Sequence, residues 1–283
     1  MHKTLISAAE LAVHAADPNW VIVDCRHDLV NLSAGREAYN AAHLPHAVFA
    51  DTEAQLSGTK RGADGAFRGR HPLPARDAFI ETLRAWGMND DTQVVAYDAH
   101  GGMFAARLWW MLRWVGHEAV AVLDGGMAAW QAQGQPLSAE VAARPRGTIG
   151  ERASLVSTVS ADEVLANIDS GERTLVDARA ADRFRGENET IDPVGGHIPG
   201  AKNRFFKDNL QADGRFKEPQ QLKADFAGIV GDPARAIMQC GSGVTACHNL
   251  LALEVAGMPG AALYPGSWSE WCADPKRPVA TGA

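Results

Sequence analysis

Short apolar runs alternate along the chain with longer segments that open on capping residues or are rich in Leu and Ala. Val21-Ile22-Val23, Val94-Val95-Ala96, Val120 to Leu123, Leu175-Val176, Ala236-Ile237-Met238 and Ala261 to Tyr264 have the length and continuity of buried strands. Helices are predicted from Ser7 to about His14, about Ala75 to Trp86, Ser160 to about Ile168, about Glu218 to Ala227, and about Thr245 to Ala256. Ser7-Ala8-Ala9-Glu10 and Ser160-Ala161-Asp162-Glu163 each have capping-box form, in which Ser and the Glu three residues on satisfy each other's backbone N–H groups. Strands alternating with helices at this spacing predict an α/β fold, a mostly parallel sheet flanked by helices. In such sheets the reactive groups sit at the carboxyl ends of strands.

The pattern occurs twice. The two capping boxes are followed at matching distances by Val23-Asp24-Cys25-Arg26 and Val176-Asp177-Ala178-Arg179. His43-Leu44-Pro45-His46-Ala47 and His197-Ile198-Pro199-Gly200-Ala201 come next, then strands ending at Asp98 and Cys240, then Gly125/Trp130 and Gly266/Trp271. Five landmarks in one order, at a nearly constant offset, indicate a duplicated domain. The expected division is a first domain at 1–135, a linker at 136–157, rich in Ala, Arg, Gly and Pro, and a second domain at 158–283. The other long irregular stretch, Ser57 to Arg70, is too short for a third domain and leads into His71-Pro72-Leu73-Pro74. A loop of that length inside a domain is usually functional or mobile.

Composition narrows the function classes. With 46% hydrophobic and 22% charged residues, the 283-residue chain has an ordinary globular make-up. A net charge of −7 argues against nucleic acid as a partner. The opening residues lack the apolar core of a signal peptide, and the apolar runs fall short of a membrane span, so a cytoplasmic protein without membrane contact is expected. The four cysteines, Cys25, Cys240, Cys247 and Cys272, lack zinc-site spacing and read as free thiols. His and acidic residues show no ligand spacing, so no metal and no organic cofactor is implied.

Cys240 stands apart from the other thiols. It closes a strand, and Gly241-Ser242-Gly243-Val244-Thr245 leads directly into a helix. A ring of backbone N–H groups and the positive end of a helix dipole both favour a thiolate there. The Cys-x5-Arg pattern of a cysteine phosphatase is absent, because Ala246 stands where the arginine would be. A papain-like base is not evident either, since His248 should point away from the loop as a surface or packing residue. Cys247 reads as core, Cys25 as a thiol pointing into the interior, and Asp98, the first-half counterpart of Cys240, as a helix N-cap. A thiolate in a nest of amides suits sulfur transfer, in which it takes up a sulfur atom as an anionic persulfide that the same N–H groups hold.

The loop from Cys240 to Thr245 resembles the active loop of two-domain sulfurtransferases of the rhodanese family, in particular the 3-mercaptopyruvate branch. Asp177/Arg179, His197 to Ala201 and Gly266-Ser267-Trp268-Ser269-Glu270-Trp271 resemble that family too, and the likeness covers nearly the whole chain. It implies two tandem rhodanese-like domains, the first without a catalytic Cys. Cys240 is then the nucleophile, and Gly241, Gly243, Val244 and Thr245 surround the transferred sulfur. Thiosulfate-preferring members carry basic side chains just after the Cys, whereas Gly241 and Ser242 are uncharged, as in the mercaptopyruvate enzymes. In those, the serine two after the Cys joins a relay with a His and an acid of the first domain, here Ser242, His71 and Glu53. Two arginines hold the substrate in that branch. The first corresponds to Arg183. The second falls near Asp192, where there is none, leaving Arg185 or Arg70 as substitutes. Arg179 reads as a structural partner of Asp177. The implied partners are a small-molecule sulfur donor and a thiol acceptor such as thioredoxin, or cyanide. The alternatives are a thiosulfate:cyanide sulfurtransferase and a persulfide carrier for a protein partner.

Overall fold

The computed structural model describes residues 1–141 and 143–283; Ala142, within the expected linker, lies outside the described residues. The chain forms two compact units. One comprises Met1–Ser57, Pro74–Leu155 and Gln211–Phe216, the other Gly58–Leu73, Val156–Leu210 and Lys217–Ala283.

In the first unit the order is β1 (Leu5–Ile6), α1 (Ala8–His14), β2 (Trp20–Asp24), α2 (Ala34–Ala41), β3 (Val48–Phe49), α3 (Arg76–Ala85), β4 (Gln93–Tyr97), α4 (Ala105–Trp114), β5 (Val120–Leu123) and α5 (Gly126–Ala132). The strands make one sheet, β1-β5-β4-β2-β3, with every pairing parallel. The second unit runs α6 (Ala161–Ser170), β6 (Thr174–Asp177), α7 (Ala181–Arg185), β7 (Lys202–Asn203), α8 (Pro219–Ala227), β8 (Ala236–Gln239), α9 (Thr245–Val255), β9 (Ala262–Leu263) and α10 (Ser267–Trp271). Its sheet, β7-β6-β8-β9, is again parallel throughout. The counterpart of β1 shrinks to a parallel bridge between Thr158 and Leu263.

The sequence physics behind these elements is local. Both capping boxes form, with Ser7 paired to Glu10 and Ser160 to Glu163 at the starts of α1 and α6. Such caps contribute on the order of 1 kcal/mol each. Central strands covered on both faces read as continuous apolar runs, and all five residues of β4 and all four of β8 are buried. Tyr39 stacks on His43 at 4.0 Å and Phe184 on His197 at 3.8 Å, so the His-x-Pro landmarks mark equivalent packing sites in the two repeats.

Several elements differ from expectation. The loops after β2 and β6 hold α2 and α7, and β1, β3 and β7, two residues each, fall below the length at which an apolar run is distinctive. Residues 144–155 carry no regular element, yet Gly147 and Ile149 donate to Arg84 and Met88, and Arg152 and Leu155 donate to Val115 and Arg113. Backbone pairing of this kind has no hydrophobic period to announce it. No helix among the described residues is long and apolar enough to cross a membrane.

Candidate active site

Cys240 follows β8 directly and is 1% exposed. Five residues on, Thr245 begins α9, with Val244 at the N-cap position. The Gly243 N–H donates to Cys240 Sγ at 3.1 Å. Gly243 has φ +76°, and a Cβ there would stand 2.4 Å from the Pro265 carbonyl oxygen, so only glycine fits this turn.

The loop is clamped from below by the start of α10. Trp268 N–H donates to Cys240 O and Ser269 N–H to Gly241 O, both at 2.9 Å. Cys240 N–H donates to Ser267 Oγ at 3.1 Å, and that hydroxyl donates to Tyr264 O at 2.9 Å. Ser267 holds φ +53°, an uncommon conformation for a residue with a side chain. These bonds give the Gly-Ser-Trp motif a physical meaning: it fixes the carbonyl side of the nucleophile loop. Beneath it, Arg179 pairs with Asp177 through two fork bonds, donates to Gly196 O and lies 4.7 Å over the Trp268 ring. Its side chain is 1% exposed, as a structural partner of Asp177 should be.

The segment Gly58–Leu73 belongs to this same unit and brings a histidine to the loop. His71 Nδ1 lies 2.8 Å from Ser242 Oγ, and both residues are buried. The backbone N–H of Arg70 donates to Ser269 Oγ at 3.1 Å, which anchors the segment to α10. Glu53 belongs to the first unit, where its N–H donates to Asp51 Oδ1 at 3.0 Å.

Arginines and acids gather beside the thiol loop. Arg183 grips Glu189 with Nε and Nη2, at 3.1 and 2.8 Å, and its Nη2 lies 3.4 Å from Asp192 Oδ2. Arg70 Nη1 donates to Asp192 Oδ1. Arg185 instead pairs with Glu187 on an exposed stretch. Burial raises Asp192 above the ordinary carboxylate value, and the charges of Arg70 and Arg183 offset this only in part. Burial pushes Glu189 the same way, but the Arg183 bond and the N–H groups of Asp192 and Ile191 bring it below its ordinary value. The sequence singled out Arg183 and offered Arg70 as a substitute. It gave no signal for Glu189 or Asp192 as their counter-ions, because charge pairing between loop residues has no period.

The remaining candidates are structural. Cys247 is fully buried and its Sγ donates to Gly243 O at 3.3 Å. His248 is not a surface residue: it is 0% exposed and meets Asn209 Nδ2 at 3.2 Å, because α9 is covered on nearly every side. In the first unit Asp98 does more than cap one turn. Its Oδ1 accepts from His100 and Gly102 and its Oδ2 from Phe104 and Ala105, at 2.7–3.0 Å. The first repeat thus fills its own amide ring with a carboxylate, and the N-cap position of α4 itself is Phe104. The Met127 N–H donates to Asp98 O, as that of Trp268 does to Cys240 O.

The geometry is a buried thiol at a strand–helix junction, an N–H donor on its sulfur, a hydroxyl–imidazole pair beside it and cationic forks within the same unit. Comparison with known proteins identifies the family to which this architecture belongs. The Rhodanese-like domain family matches residues 7–133 and again 160–274. A Pseudomonas aeruginosa protein named probable 3-mercaptopyruvate sulfurtransferase is 48% identical over 283 residues, covering 98% of either chain. The bovine thiosulfate sulfurtransferase is 35% identical over 284 residues, covering 96% of this chain and 92% of its own. The crystal structure of SseA from Escherichia coli, one of the 3-mercaptopyruvate sulfotransferases, superposes with a TM-score of 0.82 at 34% identity, covering 95% of this chain and 100% of that one. With both halves matched and the nucleophile loop confined to the second, the chain belongs to the rhodanese family and carries two rhodanese-like domains.

Proposed function

We propose that this protein is a sulfurtransferase that takes sulfur from 3-mercaptopyruvate onto Cys240 and passes it to a thiol or cyanide acceptor. The observation that carries the reading is the 2.8 Å contact between His71 Nδ1 and Ser242 Oγ, two residues from the thiol. The Cys240 thiolate attacks the donor sulfur, the carbon–sulfur bond breaks, and its electron pair goes to the methylene carbon as pyruvate enolate. The donor thiol proton moves through Ser242 and His71 to that carbon, giving pyruvate and an anionic persulfide, so atoms and charge balance. Glu53 is the acid that the family resemblance adds to this relay. The Gly243 N–H, already on Cys240 Sγ, holds the anion, with Gly241, Val244 and Thr245 lining the loop. Arg183 meets the donor carboxylate.

The domains on this reading are 1–135 and 158–283, with 136–157 between them. The acceptor is a small thiol or a thioredoxin-like protein in the cytoplasm, where the reducing environment keeps the Cys240 thiol available. A second reading, thiosulfate as donor, is favoured by Arg70, whose charge lies close to a loop that is neutral in sequence. Measuring kcat/KM for both donors separates the two. A ratio above about ten for 3-mercaptopyruvate, the discrimination that ~1.4 kcal/mol gives, supports the first, and the inverse ratio replaces it with the second.

A further inference from the structure

Residue 241 is the place where a basic side chain would follow the nucleophile, and here it is glycine. Its φ is not in the left-handed region, so the backbone does not require glycine there. The space beside it is occupied. An ideal Cβ on Gly241 would stand 2.8 Å from Arg70 Nη2 and 3.8 Å from Arg183 Nη2. The guanidinium of Arg70 thus fills the volume that a side chain at 241 would take.

The rest of the arrangement fixes Arg70 in that volume. Its backbone is tied to Ser269 Oγ and its Nη1 to Asp192. The Asp192 carboxylate is 4% exposed, and its second oxygen lies 3.4 Å from Arg183 Nη2, so one buried acid bridges the two arginines. Arg70 Nη2 has no hydrogen-bond partner among the described residues, and the Arg70 and Arg183 side chains are 23% and 20% exposed. Two guanidiniums held by a shared carboxylate, each partly open to solvent, form a fork for an incoming anion.

We propose that Arg70 and Arg183 together form the anion clamp of the Cys240 loop, that Arg70 supplies the second guanidinium missing from position 192, and that it does so because Gly241 leaves it room. The ligand is the carboxylate of the sulfur donor; this identity rests on the function proposed above, whereas the clamp itself does not.

The test compares alkylation of Cys240 by iodoacetate and by uncharged iodoacetamide in the full-length protein. The ratio of the two rates reports local positive charge and cancels changes in thiolate fraction. R70M lowers the ratio about five- to tenfold, the effect expected for removing one charge a few ångströms away in a partly solvated site. G241A, whose methyl evicts the guanidinium, lowers it similarly. The R70M/G241A double variant falls no further than R70M alone, while R183M adds its own loss. R70K, which keeps the charge, lies nearer to wild type than R70M does. A ratio for R70M within about twofold of wild type, or a G241A effect that persists undiminished in the R70M background, overturns the clamp; should R70M not fold, G241A alone decides. With 3-mercaptopyruvate, R70M raises KM about tenfold, with a smaller change in kcat. An equal rise for thiosulfate overturns the carboxylate assignment. An altered alkylation ratio in a protein that never turns over 3-mercaptopyruvate upholds the clamp and overturns the donor.

Discussion

Ser242→Ala removes one oxygen from the site, and its effect should depend on the donor. The hydroxyl lies 2.8 Å from His71 Nδ1, with Ser242 6% and His71 4% exposed. Losing a hydrogen bond at such a buried position costs about 1–2 kcal/mol of stability, a minor part of the ~5–15 kcal/mol typical of a folded protein, so the variant folds. The larger effect is kinetic. Transfer from 3-mercaptopyruvate moves a proton from the donor thiol to the leaving carbon, and a positioned proton relay typically contributes ~10²–10⁴ in rate. Transfer from thiosulfate moves none, because sulfite departs with the electron pair of the broken sulfur–sulfur bond. The expected result is a loss of about a hundredfold or more in kcat with 3-mercaptopyruvate and less than about threefold with thiosulfate, measured as pyruvate and sulfite release. His71→Asn should show the same split. An equal loss with both donors would make the pair a packing element and refute the relay.

Three further outcomes follow from the same geometry. Asp98→Asn turns an amide NH2 toward two backbone N–H groups that the carboxylate now satisfies, and should lower stability by about 2–4 kcal/mol in urea denaturation; a change under ~0.5 kcal/mol would show that the first-unit ring tolerates a neutral occupant. Arg179→Met leaves Asp177, 0% exposed, without its fork, and should cost about 3–5 kcal/mol by the same assay, against less than ~1 kcal/mol if the pair were solvated. Burial, with help from the charge of Asp192, pushes the Cys272 thiol from 9.0 up to about 11. A raised folded value stabilises below the unfolded one and loses that contribution as pH rises through about 11. The urea midpoint of wild type should therefore fall more steeply between pH 9 and 11 than that of Cys272→Ser, and parallel curves would contradict the assignment.

Much of the fold was legible because it rests on local signals. Capping boxes, continuous apolar strands and the order of five landmarks each have a short-range physical cause, and together they reveal the repeat. Cys240 was legible for a similar reason: strand, glycine-bearing turn and helix are contiguous. The clamp was less so. Gly241 looks neutral in sequence, but its missing side chain is what admits Arg70, a residue 171 positions earlier. Asp192 reads in sequence as the loss of an arginine, whereas in space it is the anchor that holds two of them. Asp98 resembled a simple cap because one carboxylate gathering four N–H groups depends on loop curvature that no residue pattern encodes. For His248 the sequence left surface and packing open, because an all-round buried helix has no polar face from which to read direction; burial decides for packing.

The central claim is that Cys240 carries the sulfur. Intact-mass and peptide mass spectrometry after brief exposure of the full-length protein to 3-mercaptopyruvate, without acceptor, tests it most directly. The account predicts a gain of one sulfur atom on the peptide containing Cys240, removed by a thiol, and no gain or turnover in Cys240→Ser. Sulfur appearing on Cys25, Cys247 or Cys272 instead, or undiminished turnover in Cys240→Ser, would contradict it.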